Sequence, residues 1–177
     1  MTDSKVDLKI SWAEYHQLIE QLARQIHRSQ WEFNQILCLA KGGLRIGDIL
    51  ARLFDQPLGI LNVTSYGGTG NREQGQLQFA EHLTNFGPLG DRLLLVDDLV
   101  DSGASLREAQ IWLKQCAPQV TEMRTAVLWY KGQAQFQPDY YAQHLPDNPW
   151  IEQPFEHYER GVAALGEDDH AKSDEIY

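Results

Sequence analysis

The sequence predicts an α/β fold: a doubly wound, mainly parallel sheet flanked by helices. Three observations predict it. Short β-rich apolar runs alternate with amphipathic helical patterns, the order that places helices on both faces of a parallel sheet. Leu93-Leu94-Leu95-Val96 is apolar at consecutive positions, as a strand buried on both faces must be. Polar, chemistry-bearing segments follow the apolar runs, at the carboxyl ends of strands where such sheets bind ligands.

The elements follow in order. Ser11-Trp12-Ala13-Glu14 has capping-box spacing. Tyr15, Leu18, Ile19, Leu22 and Ile26 then recur at helical intervals, so 12–28 reads as an amphipathic helix. Ile36–Ala40 is a short buried strand, broken by Lys41-Gly42-Gly43, and Leu44–Phe54 reads as a helix. Leu58–Ser65 is a second strand. Residues 67–91 are polar and Gly-rich and read as an irregular, functional lid. Leu93–Val96 is the next strand and Ala104–Cys116 the next helix, with Leu106, Ala109, Leu113 and Cys116 on one side. Thr125–Tyr130 reads as a strand and Tyr140–His144 as an edge strand. From about Gly161 periodicity ends, and an acidic, disordered tail is expected over 161–177.

Length and composition bound the function. A chain of 177 residues, 42% of them hydrophobic, suggests one domain with an ordinary core. A net charge of −10 argues against nucleic acid, which needs clustered Lys and Arg. No apolar run is long enough to span a bilayer, and residues 1–7 lack the pattern of a signal peptide, so a cytoplasmic protein is expected. Cys38 and Cys116 fall in expected core elements and read as small apolar residues. The six histidines show no metal-ligand spacing. Gly68–Glu73 lacks the third glycine of a dinucleotide fingerprint, and no Walker loop is present.

The chemistry concentrates in Leu93–Ser105. A buried strand ends at Asp97-Asp98; Leu99 and Val100 follow; then Asp101-Ser102-Gly103-Ala104-Ser105 runs into a helix. Adjacent carboxylates can accept hydrogen bonds from two vicinal hydroxyls, while the loop amides and the helix N-terminus can hold a phosphate. Two carboxylates side by side repel, so a cation or donors must offset them. Asp101 can instead cap the following helix, and the two roles can coexist.

This run resembles the ribose-phosphate signature of the type I phosphoribosyltransferases, which join a base to phosphoribosyl pyrophosphate and release pyrophosphate. The resemblance covers about residues 10–156. It implies that Asp97, Asp98, Leu99, Val100, Asp101, Ser102, Gly103, Ala104 and Ser105 hold the ribose and its 5′-phosphate, with Asp98 the candidate ligand of Mg²⁺. It implies that Asp101 lies near the imidazole nitrogen of the base as the catalytic residue. Ala40-Lys41-Gly42-Gly43 resembles the pyrophosphate loop, where Lys41 stands in place of a common Arg. Arg72, in the long loop, matches a basic position that touches pyrophosphate. Ala104 stands where a second glycine is frequent.

Lys131 follows a strand, and Trp150-Ile151-Glu152-Gln153-Pro154-Phe155 lies near the C-terminus. A flat aromatic and one cation suit a flat heterocycle bearing a carbonyl. Here the resemblance narrows to the bacterial xanthine-guanine phosphoribosyltransferases. It implies that Lys131 meets the 6-oxo group, Trp150 stacks on the ring, and the Ile151 backbone meets the two-position. Trp150 can also be read as a core aromatic, and Phe155 stands where a second Trp is common. The expectation is a 6-oxopurine salvage enzyme using Mg²⁺, with one domain over 1–160. A small hood would come from about 1–12 and 136–160, and the assembly would be a dimer or tetramer. Two alternatives stay open: a regulatory protein of the same fold that binds the sugar pyrophosphate and nucleic acid, and an enzyme for another base. Lys131 can only donate, which favours an oxo over an amino group.

Overall fold

The computed structural model describes residues 8–66, 76–79 and 83–162. The elements run β1 (Leu8–Lys9), α1 (Trp12–Arg28), β2 (Gln35–Ala40), α2 (Leu44–Phe54), β3 (Leu58–Tyr66), β4 (Gln76–Phe79) and β5 (Arg92–Val96). They continue with β6 (Leu99–Val100), α3 (Ala104–Cys116), β7 (Glu122–Lys131), β8 (Tyr140–Leu145), β9 (Ile151–Glu152) and a 3-10 turn at Glu156–Arg160. All three helices have the bounds expected from the sequence. The chain forms two compact units, Gln17–Asn148 and the paired terminal segments Met1–His16 and Pro149–Tyr177.

In the larger unit the sheet order is β4-β3-β2-β5-β7-β8, with β6 beside β7 beyond the end of β5. The pairs β2–β3, β2–β5, β5–β7, β6–β7 and β7–β8 are parallel, and β3–β4 is antiparallel. Side chains alternate across the sheet. Leu37, Leu39, Leu93, Leu95 and Val127 therefore share one face, where they cluster with Leu106, Ala109 and Leu113 of α3. On the other face Gly47 of α2 lies against Cys38 so closely that a Cβ there would overlap its sulfur. The helices thus cover opposite faces, as a parallel sheet requires.

Two expectations for this unit are corrected. The segment 67–91 is not irregular throughout: Gln76–Phe79 pairs with β3, from Val63↔Phe79 to Tyr66↔Gln76, and Ile60 bridges Thr84. Its Gln-Leu-Gln-Phe alternation is a period-2 signal hidden by glycine-rich flanks. Phe79 stacks on Trp112 of α3, ring centroids 6.0 Å apart. Cys116 is exposed rather than core. It is the last residue of α3, one turn beyond buried Leu113, where the helix leaves the sheet. β7 is also longer than expected, because Arg92 pairs Glu122 at one end and Leu145 pairs Lys131 at the other.

The terminal unit is described here for residues 8–16 and 149–162. The capping box forms: the Ser11 N–H donates to Glu14 Oε2 at 2.8 Å, and the Glu14 N–H donates to Ser11 Oγ at 3.3 Å. β1 pairs in parallel with β9, Leu8 opposite Ile151. Two-residue strands carry no periodicity, so neither is read as a strand from sequence, although the expected hood already joined these terminal segments. Tyr15 and Phe155 meet edge to face at 5.9 Å, and Trp12 packs against both.

Candidate active site

Because β2, β5 and β7 are parallel, their carboxyl ends lie at one sheet edge. β2 leads to Lys41-Gly42-Gly43, β5 to Asp97-Asp98, and β7 ends on Lys131. The first two segments touch. A Cβ on Gly42 would sit 2.5 Å from Asp98 Oδ1 and 2.8 Å from Asp97 Oδ1, so only glycine lets this loop lie against the acid pair. Gly43 is equally constrained, by the Val96 carbonyl. The Ala40–Lys41 peptide is cis. Lys41 is exposed beside this junction.

The acid pair is held by β7. The Asp97 N–H donates to the Ala126 carbonyl at 3.1 Å, and the Asp98 carbonyl accepts from Leu128 N–H at 3.0 Å. Leu99 and Val100, which the sequence reading assigns to no element, form β6 against Trp129 and Tyr130. Burial pushes the Asp97 carboxyl well above the usual carboxylate range, and the Asp98 charge raises it further; the Asp98 N–H, donating to Asp97 Oδ1 at 2.9 Å, offsets part of this. Among the described residues no cluster of three or more acids, histidines or cysteines could cage a metal. The pair offers hard oxygen donors, few in number, which fits a Mg²⁺ that keeps waters and takes other ligands from substrate.

The next loop is shaped for an anion. Gly103 has φ of 87°, a left-handed conformation that glycine adopts without strain, and a Cβ there would overlap Phe136. The Ala104 N–H donates to Ser102 Oγ at 3.3 Å. The first helical bond runs from Arg107 N–H to the Gly103 carbonyl at 3.1 Å, so the amides of Ser105 and Leu106 precede the helical ladder. Such amides, with the helix dipole, favour a phosphate. A cavity of about 350 Å³ opens here, lined by Ser102, Ala104, Arg107, Gln133 and Gln135.

Asp101 does not cap α3. Its Oδ1 accepts a hydrogen bond from Gln133 Nε2 and lies 3.5 Å from Lys131 Nζ. Lys131 is itself buried, at 5% exposure, and Asp101 is exposed. The structure thus joins Asp101 to Lys131, which sequence spacing alone did not connect. Arg107, Gln133 and Gln135 were missed. Arg107 had a signal, lying one turn into the helix from Gly103; the two glutamines follow a strand end and had none beyond that.

Trp150 and Ile151 lie in the terminal unit. The Trp150 carbonyl accepts from Leu8 N–H at 2.7 Å and the Glu152 carbonyl from Ile10 N–H at 3.0 Å. Backbone groups alternate in direction along a strand, so the N–H and C=O of Ile151 face away from β1. Trp150 is half-buried, and Ile151 is buried. Arg72 lies outside the described residues, as does most of the acidic tail.

A larger concavity, about 610 Å³, lies at the opposite, amino edge of the sheet beside Trp31, Phe33, Phe54 and Arg92. It is remote from every motif above.

The chain is similar to known proteins over most of its length. The family model for the phosphoribosyl transferase domain matches residues 11–160. The chain is 29% identical over 96 residues to a hypoxanthine/guanine phosphoribosyltransferase of Methanopyrus kandleri, a match spanning 51% of each protein. It is 26% identical over 148 residues to a xanthine-guanine phosphoribosyltransferase of Idiomarina loihiensis, covering 83% of this chain and 85% of that one. The structure of a purine phosphoribosyltransferase from Pyrococcus horikoshii superposes with a TM-score of 0.68 at 25% identity, over 84% of this chain and 93% of that one.

Proposed function

This chain belongs to the phosphoribosyl transferase domain family, and from that premise we propose that it is a purine salvage enzyme. It transfers the 5-phosphoribosyl group from phosphoribosyl pyrophosphate to a 6-oxopurine (guanine, xanthine or hypoxanthine) and releases pyrophosphate. The observation that carries this reading is the packing of Gly42 onto Asp97 and Asp98, with Asp101 beside Lys131 at the same sheet edge. One edge then offers a diol acceptor, a phosphate cradle and a base-binding cation.

Each residue has a part. Amides and hydroxyls from Ser102 to Ser105 hold the 5′-phosphate, and Asp97 and Asp98 accept from the ribose hydroxyls. Lys41, Gly42 and Gly43 bind pyrophosphate, joined by Arg72; Lys41 is a point charge with a less rigid grip than Arg. Lys131 donates to the 6-oxo oxygen, and the family resemblance gives Trp150 the stacking role and the Ile151 backbone the two-position. Asp101 takes or shares the imidazole proton as the bond to the anomeric carbon forms. Bond breaking there passes through an oxocarbenium-like state, as in glycoside chemistry. Mg²⁺, held by Asp98, would supply charge neutralisation for the leaving pyrophosphate.

The proposed setting is the cytoplasm, whose reducing conditions suit the free thiols of Cys38 and Cys116. The assembly is a homo-oligomer, dimer or tetramer. A panel assay tests the function: each nucleobase with phosphoribosyl pyrophosphate and Mg²⁺, followed by pyrophosphate release. Turnover with 6-oxopurines alone is expected. Turnover only with adenine or a pyrimidine would reject it.

A further inference from the structure

We propose that Gln133 is a positioning residue for Asp101, holding one carboxylate oxygen so that the other is presented to the base. The proposal rests on the reading just given. Gln133 Nε2 and Lys131 Nζ both approach the same oxygen, Oδ1. Among the described residues Oδ2 has no protein partner. A carboxylate gripped at one oxygen has its rotamer fixed and its second oxygen aimed.

Gln133 is itself held. Its N–H donates to Asn148 Oδ1 at 2.8 Å. On either side, Gly132 N–H donates to the Leu145 carbonyl at 2.9 Å and Gln135 N–H to the Ser102 carbonyl at 3.0 Å. A Cβ on Gly132 would come within 2.7 Å of the Pro146 carbonyl oxygen, so the turn is packed against the end of β8. This turn therefore ties the strand that carries Lys131 to the loop that carries Asp101.

The two donors divide the work. The Lys131 contact of 3.5 Å is long for a charge-assisted hydrogen bond, which is ~2.8 Å. Lys131 is thus loosely committed to Asp101 and free to turn to the 6-oxo oxygen when base binds. Gln133 is neutral and is not assigned to the base. It remains the donor that keeps Asp101 aimed. The imidazole proton then passes to Oδ2 as the nitrogen–carbon bond forms. The carbon–oxygen bond to pyrophosphate breaks, and its electron pair leaves with pyrophosphate.

The test uses the full chain, with guanine as base, and compares wild type, Gln133→Ala and Gln133→Glu. Gln133→Ala should lower kcat between about tenfold and a hundredfold, the scale of a misplaced reacting group, while the KM for phosphoribosyl pyrophosphate stays within about twofold. Gln133→Glu sets a like charge against Asp101, so the acidic limb of its kcat–pH profile should move to higher pH. An active wild type with Gln133→Ala within about twofold in kcat, or with Gln133→Glu leaving that limb in place, overturns the proposal alone. A wild type that releases no pyrophosphate with any 6-oxopurine overturns the functional reading and this proposal together.

Discussion

Asp101 is the residue on which turnover should depend most. Its carboxylate is spent on Lys131 and Gln133 rather than on capping α3. Asp101→Asn keeps the shape but cannot take a proton. It should lower kcat by ~10²-fold or more, with a small effect on phosphoribosyl pyrophosphate binding. Steady-state kinetics decide, and unchanged turnover would remove the proton role. Asp97 makes the opposite prediction, because its carboxyl is raised by burial and by Asp98. A raised carboxyl binds its proton more tightly folded than unfolded. Its contribution to stability is complete below the unfolded value and is lost as pH climbs through the folded one. At pH 7.5, on the far side of the unfolded value (~3.9), Asp97→Asn should therefore raise the melting temperature of the ligand-free protein. A lower one would show that the carboxylate is already neutralised by its surroundings.

At the scale of elements, the loop conformations are as decisive as the side chains. Gly103 and Gly161 both have positive φ, 87° and 79°, yet a Cβ on Gly103 would overlap Phe136 and one on Gly161 meets nothing within 4 Å. Gly161→Ala should cost about 1 kcal/mol, the backbone term alone. Gly103→Ala should cost about 1–3 kcal/mol more from overpacking and should also weaken phosphoribosyl pyrophosphate binding. Denaturant melts with and without ligand separate the two. Helix bounds were legible because periodicity, the Ser11 box and the Gly42-Gly43 break all agree. β4, β6 and the β1–β9 pair were not. Each is short; β6 and the β1–β9 pair depend on strands far along the chain, and the alternation of β4 is masked by its glycine-rich flanks. The Asp97–Ser105 run was legible because its neighbours are local in sequence. The Asp101–Lys131–Gln133 cluster was not, because it forms across a turn of the fold.

For the whole molecule, the sheet sorts the two thiols. Cys38, in β2, is fully buried, and burial with the nearby Asp97 and Asp48 charges pushes its thiol up to about 12. Cys116 is exposed. A thiol reagent at pH 8 should label one site quickly in the native protein and the second only on unfolding. Fast labelling of both would contradict the packing of Gly47 on Cys38. The same sheet decides where the ligand site can yield. β6 resumes the ladder straight after the acid pair, clasping Leu99 and Val100 to Trp129 and Tyr130. Asp97 and Asp98 therefore lie between two stretches of ladder, β5 before them and β6 after. Amide exchange at Val100 should be as slow as in the middle of β7, and fast exchange there would contradict the pairing of β6. The Asp101 carboxylate, to which the proposed mechanism gives the base proton, stands one residue past that ladder and is held by side chains instead.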